Sequence, residues 1–174
     1  MLDIFYPKLY TSSLVELKPE FLGELGLRGV LLDLDNTVVR RDSLVFSEEV
    51  KAWLDELRAY DFKLCIVSNN SKRRVSAAAE QLKIPAVHRA VKPLSSPFRR
   101  ALRILGTRPE ETALIGDQIF TDILGGNLCG LYTILVVPLG GKEFRATRLF
   151  SRPLEKLILA RLKQRPEVFH GKWD

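Results

Sequence analysis

Cysteine is scarce in this chain. Its 174 residues hold two, Cys65 and Cys129. That is too few for a disulfide framework, and they show no metal-ligand spacing, so disulfide-stapled folds and zinc ribbons are excluded. Both lie in apolar surroundings and read as small core residues. Histidine is equally scarce. His88 and His170 have no histidine or cysteine neighbour at ligand spacing, so surface or locally satisfied positions are expected, not a zinc site or a general base. Long apolar runs are missing as well. The longest, Ile134 to Leu139, falls far short of the roughly 20 residues that cross a bilayer. The first residues, Met1-Leu2-Asp3-Ile4-Phe5-Tyr6-Pro7, carry an early acid and a proline where a secretory signal has a basic and then an apolar stretch. The expected location is cytoplasmic, or at most peripheral to the inner face of a membrane.

What is present is enough for one domain with a proper core. The net charge of +6 is unevenly spread. From Lys142 to Asp174 nine Lys and Arg face four Asp and Glu, so this stretch carries most of the excess. The remainder of the chain is nearly neutral. The pattern predicts a core over residues 28–138 and a basic, helical C-terminal extension over 142–174.

Within the core, short apolar runs alternate with stretches of helical spacing. Residues 1–18 show no regular pattern. Pro19 opens a short helix that ends near Gly26. Strands are expected at 28–33, 62–67, 86–87, 112–115 and 132–137. Helices are expected from Ser47, from Ser71 to Leu82, from Pro97 to Leu105 and from Thr121 to Leu128. Ser47 is a cap followed by Glu48 and Glu49, which suit a helix start. Strands alternating with helices indicate right-handed βαβ units: an α/β fold, Rossmann-like, with three α/β/α layers around a five-stranded, mainly parallel sheet.

The chemistry gathers at the carboxyl ends of these strands, where open α/β sheets bind ligands. The first strand runs Val30-Leu31-Leu32 and then gives Asp33-Leu34-Asp35-Asn36-Thr37. Two carboxylates so close need a cation, and hard oxygen donors favour magnesium. The second strand ends in Ser68-Asn69-Asn70, a helix entry suited to an oxyanion. Lys92 follows the third strand and can neutralise phosphate. The fourth ends in Gly116-Asp117, with Asp122 five residues on. Each has a plain alternative as a turn, a cap or a solvated lysine. In this order and at these places, they point together to one site.

On these residues the chain resembles the haloacid dehalogenase-like (HAD) superfamily, and more narrowly its subclass IIIA phosphatases of the YqeG type, related to phosphatidylglycerophosphate phosphatases. The resemblance implies that Asp33 is the nucleophile and forms an aspartyl-phosphate, and that Asp35 is the acid and base. It implies magnesium on Asp33, the backbone carbonyl of Asp35 and Asp117, with Asp122 a direct or water-mediated partner. Ser68, Asn69 and Lys92 would bind the phosphoryl group.

The spacers after the first and second motifs leave no room for a large cap domain. An open site suits a phosphomonoester on a large carrier, such as a phospholipid head group. In the C-terminal extension, Leu154, Leu157, Ile158 and Leu162 form one apolar face beside Arg152, Lys156, Arg161, Lys163 and Arg165. That face either packs on the sheet or, with its basic neighbours, meets an anionic membrane. Nucleic acid is disfavoured, because no reading motif accompanies the basic residues. An oligomer is left open. The expected function is a magnesium-dependent phosphomonoester phosphatase, with phosphatidylglycerophosphate the leading substrate by resemblance. Two alternatives stay open: a phosphatase of soluble or nucleic-acid-end esters, and a non-catalytic phosphate-binding or scaffold protein.

Overall fold

The computed structural model describes residues 3–140, 160 and 169–170. The strands are β1 (Leu9–Thr11), β2 (Gly29–Leu32), β3 (Lys63–Val67), β4 (Ala86–Val87), β5 (Thr112–Gly116), β6 (Tyr132–Val136) and β7 (Phe169–His170). They form one sheet in the order β4-β3-β2-β5-β6-β1-β7, and every pairing is parallel. The helices are α1 (Pro19–Glu24), α2 (Glu48–Ala59), α3 (Lys72–Leu82), α4 (Ser95–Leu105) and α5 (Leu124–Leu128).

Alternation along the central strands divides the core in two. Val30 and Leu32 of β2 share one face with Leu64, Ile66, Ala113 and Ile115, and bury Trp53 and Leu57 of α2 and Val75 and Leu82 of α3. Leu31, Cys65, Val67 and Leu114 point to the other face and bury Phe98, Ala101 and Leu102 of α4. The expected three layers are therefore present. Cys65 is fully buried, and half-buried Cys129 packs against the α4 side.

The sheet has seven strands where five were expected. Residues 9–11 show no pattern in the sequence because β1 is too short to show alternation and its inward Thr11 is polar. Thr11 is buried because its hydroxyl donates to Ser13 O at 3.0 Å and Glu16 Oε2 at 2.9 Å. Residues 169–170, within the extension expected to be helical, instead form a strand that pairs with Tyr10 and Thr11. The apolar face of Leu154, Leu157, Ile158 and Leu162 and the rest of the basic extension, residue 160 apart, lie outside the described residues. Helix α4 starts at Ser95, two residues before Pro97. The helix expected at Thr121 instead begins with a π turn, Ile119–Ile123, which runs into α5. His88 is half-buried and its Nδ1 has no hydrogen-bond partner, so it is not locally satisfied.

The strand order reverses at β2. From there the chain steps through β3 to β4 on one side, then returns to place β5 on the other. Such a switch point opens a crevice beyond the strand ends. Asp33 leaves β2 and Asp117 leaves β5 at this crevice.

Candidate active site

The crevice is an open pocket of about 490 Å³, lined by Asp33, Asp35, Arg41, Ser68, Asn69, Asn70, Ser71, Lys92, Gln118 and Thr121. Asp33 and Lys92 line its floor, with Asp117 and Asp122 grouped against them. Lys92 Nζ donates to Asp33 Oδ1 and to Asp122 Oδ1, both at 2.5 Å, and all three residues are buried. The ligand oxygens of Asp33, Asp117 and Asp122 lie within 4.8 Å of one another. Thr37 donates its hydroxyl to Asp117 Oδ1 at 3.3 Å.

This floor holds three carboxyl groups and one ammonium. Burial pulls the Lys92 ammonium down, but Asp122 and Asp33 more than offset that and hold it above its ordinary value. The ion pair alone would lower Asp33. Burial, with Asp122 and Asp35 adding to it, outweighs the lysine and pushes Asp33 up to about 7. Burial, with Asp33 and Asp122 adding to it, pushes Asp117 up to about 8. One cation is too little for three acids, two buried and Asp117 half-buried, and the shortfall when all are ionised is the charge of a divalent ion. One atom also lacks a partner: Asp33 Oδ2 is buried with no hydrogen bond. The donors are hard oxygens. These features fit a divalent cation that favours hard oxygen donors, held at Asp33 and Asp117.

Asp122 differs from the other two. Its Oδ1 takes Lys92 and its Oδ2 accepts from Gln118 N at 3.2 Å, so both oxygens are engaged. The π turn carries it inward from Ile119–Ile123; such insertions often mark functional sites. Gly116 makes room for it, since a Cβ there would lie 2.4 Å from the Asp122 carboxyl group.

Ser68 is buried, and its hydroxyl accepts from Asn70 N at 3.2 Å. Asn69 lines the pocket and also holds the lysine loop: its Oδ1 accepts from Lys92 N at 2.7 Å, and its Nδ2 donates to Lys92 O at 3.4 Å. That loop is tightly bent, with Arg89 and Val91 both at positive φ, unfavourable for a β-branched residue such as Val91. Asp35 stands apart from the floor. Its Oδ1 pairs with Arg74 Nε at 2.7 Å and its Oδ2 accepts from Asn70 Nδ2 at 2.9 Å.

Sequence reasoning missed Arg41 and Arg74, and placed Asn70 at the site without its contact to Asp35. Arg74 did leave a signal. Lys72, Arg73 and Arg74 open α3, against a helix dipole that favours acids there. A basic first turn invites the question of what anion it meets.

The profile of haloacid dehalogenase-like hydrolases matches residues 7–130. The chain is a haloacid dehalogenase-like hydrolase. It is 38% identical over 170 residues to the probable phosphatase YqeG of Bacillus subtilis, covering 98% of this chain and 96% of that one. Identity across nearly the whole of both chains makes it a phosphatase of the HAD family. Similarity is lower to phosphatidylglycerophosphate phosphatase 1 of Arabidopsis thaliana, at 25% over 167 residues, 91% of this chain and 47% of that protein. The mitochondrial phosphatidylglycerophosphatase GEP4 of Saccharomyces cerevisiae is 33% identical over 126 residues, 64% of this chain and 67% of that protein. A HAD-superfamily hydrolase from Ehrlichia chaffeensis superposes with a TM-score of 0.56 at 17% identity, covering 74% of this chain and 98% of that one. At that identity the likeness is one of fold.

Proposed function

We propose that this HAD phosphatase hydrolyses a phospholipid phosphomonoester of the phosphatidylglycerophosphate type, working through an aspartyl-phosphate with magnesium bound. The observation that carries the reading is the buried floor: three carboxyl groups and Lys92 at the switch point, under an open pocket. Asp33 and Asp117 would hold the ion together with the backbone carbonyl of Asp35. When bound, magnesium neutralises charge on the phosphoryl oxygens.

The chain's own groups do the rest. The Asp33 carboxylate attacks phosphorus while the bond to the ester oxygen breaks. The proton of Asp35 goes to that oxygen, and the alcohol leaves. Asp35, now a carboxylate, takes a proton from water as the water oxygen bonds to phosphorus. The acyl-phosphate bond breaks, phosphate departs and Asp33 is restored. Lys92 and Ser68 cradle the phosphoryl group, and positioning and charge supply most of the acceleration. Asp122 holds the Lys92 ammonium in place, and Asn69 holds its backbone.

The lipid assignment has two supports. The first is similarity to two phosphatases whose names specify phosphatidylglycerophosphate. The second is the set of loops that leave the carboxyl ends of the strands. Val45 of the loop after β2 is 83% exposed, and Val91 and Leu94, which flank Lys92, are 62% and 58% exposed. Exposed Lys72, Arg73 and Arg89 leave the same ends of the strands. Apolar side chains among basic ones suit an anionic bilayer. No helix among the described residues is long and apolar enough to cross a membrane.

The test is phosphate release from phosphatidylglycerophosphate in mixed micelles, soluble sugar and nucleotide monophosphates, and phosphorylated oligonucleotides, with magnesium present or chelated and Asp33→Asn as the blank. Strong preference for the lipid, lost on chelation and in Asp33→Asn, is the expected result. Preference for a soluble ester or an oligonucleotide overturns the lipid assignment. Turnover that survives Asp33→Asn overturns the mechanism.

A further inference from the structure

The guanidinium of Arg74, held against the pocket-lining Asp35, is unused by the chemistry above. Arg74 lies in the first turn of α3, where the helix dipole opposes a cation. Lys72 and Arg73 beside it are exposed, whereas Arg74 is partly buried and turned inward. Its Nε donates to Asp35 Oδ1 at 2.7 Å. Its Nη2 donates to two backbone carbonyls of the loop after β2, Arg40 O at 3.1 Å and Ser43 O at 2.7 Å. The other oxygen of Asp35 is taken by Asn70, four residues before Arg74.

Two consequences follow from this geometry. Both oxygens of Asp35 are fixed from the junction of β3 and α3, which sets the direction in which the carboxyl faces the pocket. The same guanidinium also pins the loop on either side of Arg41, which lines the pocket. A planar fork with donors at fixed angles can serve a carboxylate and two carbonyls together; an ammonium offers a single point.

We propose that Arg74 is a positioning residue that aligns Asp35 for proton transfer and closes the Arg40–Ser43 loop over the pocket, so that loop placement and acid alignment form one coupled state. The proposal rests on the reading of Asp35 as acid and base. A substrate that leaves the loop seated keeps the acid aligned. One that lifts the loop draws the guanidinium away from Asp35 and loses proton delivery. The loop thereby becomes a selectivity element without being a cap domain.

The experiment compares kcat/KM, which reports phosphoryl transfer to Asp33, for an alkyl phosphomonoester and for p-nitrophenyl phosphate. An alkoxide needs its proton in the transition state, whereas nitrophenolate leaves without one. Arg74→Ala is expected to lower kcat/KM by about 10² for the alkyl ester and by less than about tenfold for the aryl ester. Asp35→Asn is expected to show the same preference more strongly, and the double variant to fall little below Asp35→Asn alone. Arg74→Lys is expected to recover only part of the alkyl activity. The ratio of the two esters is measured on one sample, so partial unfolding of a variant does not change it. Amide exchange at residues 41–43 is expected to quicken in Arg74→Ala.

Equal losses on both esters in Arg74→Ala, or additive losses in the double variant, overturn the alignment role. Unchanged exchange overturns the loop role. If Asp35→Asn itself shows no dependence on the leaving group, the reading of Asp35 falls. If Asp35→Asn shows it and Arg74→Ala does not, the inference about Arg74 falls alone.

Discussion

At the scale of single residues the site depends on positions that never meet the substrate. Gly116 is the sharpest case. Its φ lies outside the left-handed region, so an alanine can adopt its backbone; the obstacle is the Asp122 carboxyl group 2.4 Å from any added Cβ. That carboxyl holds Lys92 at 2.5 Å, so Gly116→Ala moves the lysine by moving its anchor. We expect kcat to fall by about 10², the scale of losing one preorganised charge-stabilising contact, with folding preserved by circular dichroism. An unchanged kcat would mean that Asp122 relaxes without disturbing Lys92. The motif Gly-Asp is legible in the sequence, and so is the presence of Asp122. That the glycine exists to admit Asp122 is not, because the packing of a π turn onto β5 leaves no periodic trace.

At the scale of elements, legibility mostly followed length; the two-residue β4, expected and found at Ala86–Val87, is the exception. Strands β2, β3, β5 and β6 were readable from apolar runs ending in polar residues, and α2 and α3 from caps and spacing. The readings failed where an element was too short for periodicity, as in β1 and β7, or where hydrogen bonding departs from the α pattern, as in the π turn at Ile119–Ile123. The two cap serines offer a comparison. Ser47 accepts from Val50 N and Ser71 from Arg74 N, equivalent positions in the two helices. Behind Ser47 come Glu48 and Glu49, which favour the dipole; behind Ser71 come Lys72, Arg73 and Arg74, which oppose it. With no acid to compensate, Ser71→Ala is expected to cost about 1–2 kcal/mol and Ser47→Ala about 0.5–1 kcal/mol, read from urea unfolding midpoints at constant slope. The reverse order would show that Arg74 recovers through Asp35 more than its position in the helix loses.

At the scale of the whole molecule, the buried acids link folding to pH and to metal. Unfolded carboxyl groups titrate near pH 4, whereas Asp33 and Asp117 are raised to about 7 and about 8 in the fold. Between these limits the native state binds more protons than the unfolded chain, so stability falls as pH rises. The penalty from these two groups is absent below about pH 4, grows through neutrality and is complete above about pH 8. A divalent cation reverses it by holding the carboxylates ionised, and protons compete with the cation for the same oxygens. The metal-free protein is therefore expected to melt several degrees lower at pH 8 than at pH 5.5, and magnesium to raise the melting temperature more at pH 8. Asp117→Asn removes one titrating acid and one ligand together. In that variant the metal-free pH dependence should flatten and the gain from magnesium should shrink, whichever substrate the enzyme takes. Differential scanning calorimetry with chelator or magnesium at the two pH values measures both quantities. A magnesium gain equal at pH 5.5 and pH 8 and unchanged in Asp117→Asn would place the cation elsewhere, because a site built from raised carboxyl groups must lose affinity as they protonate.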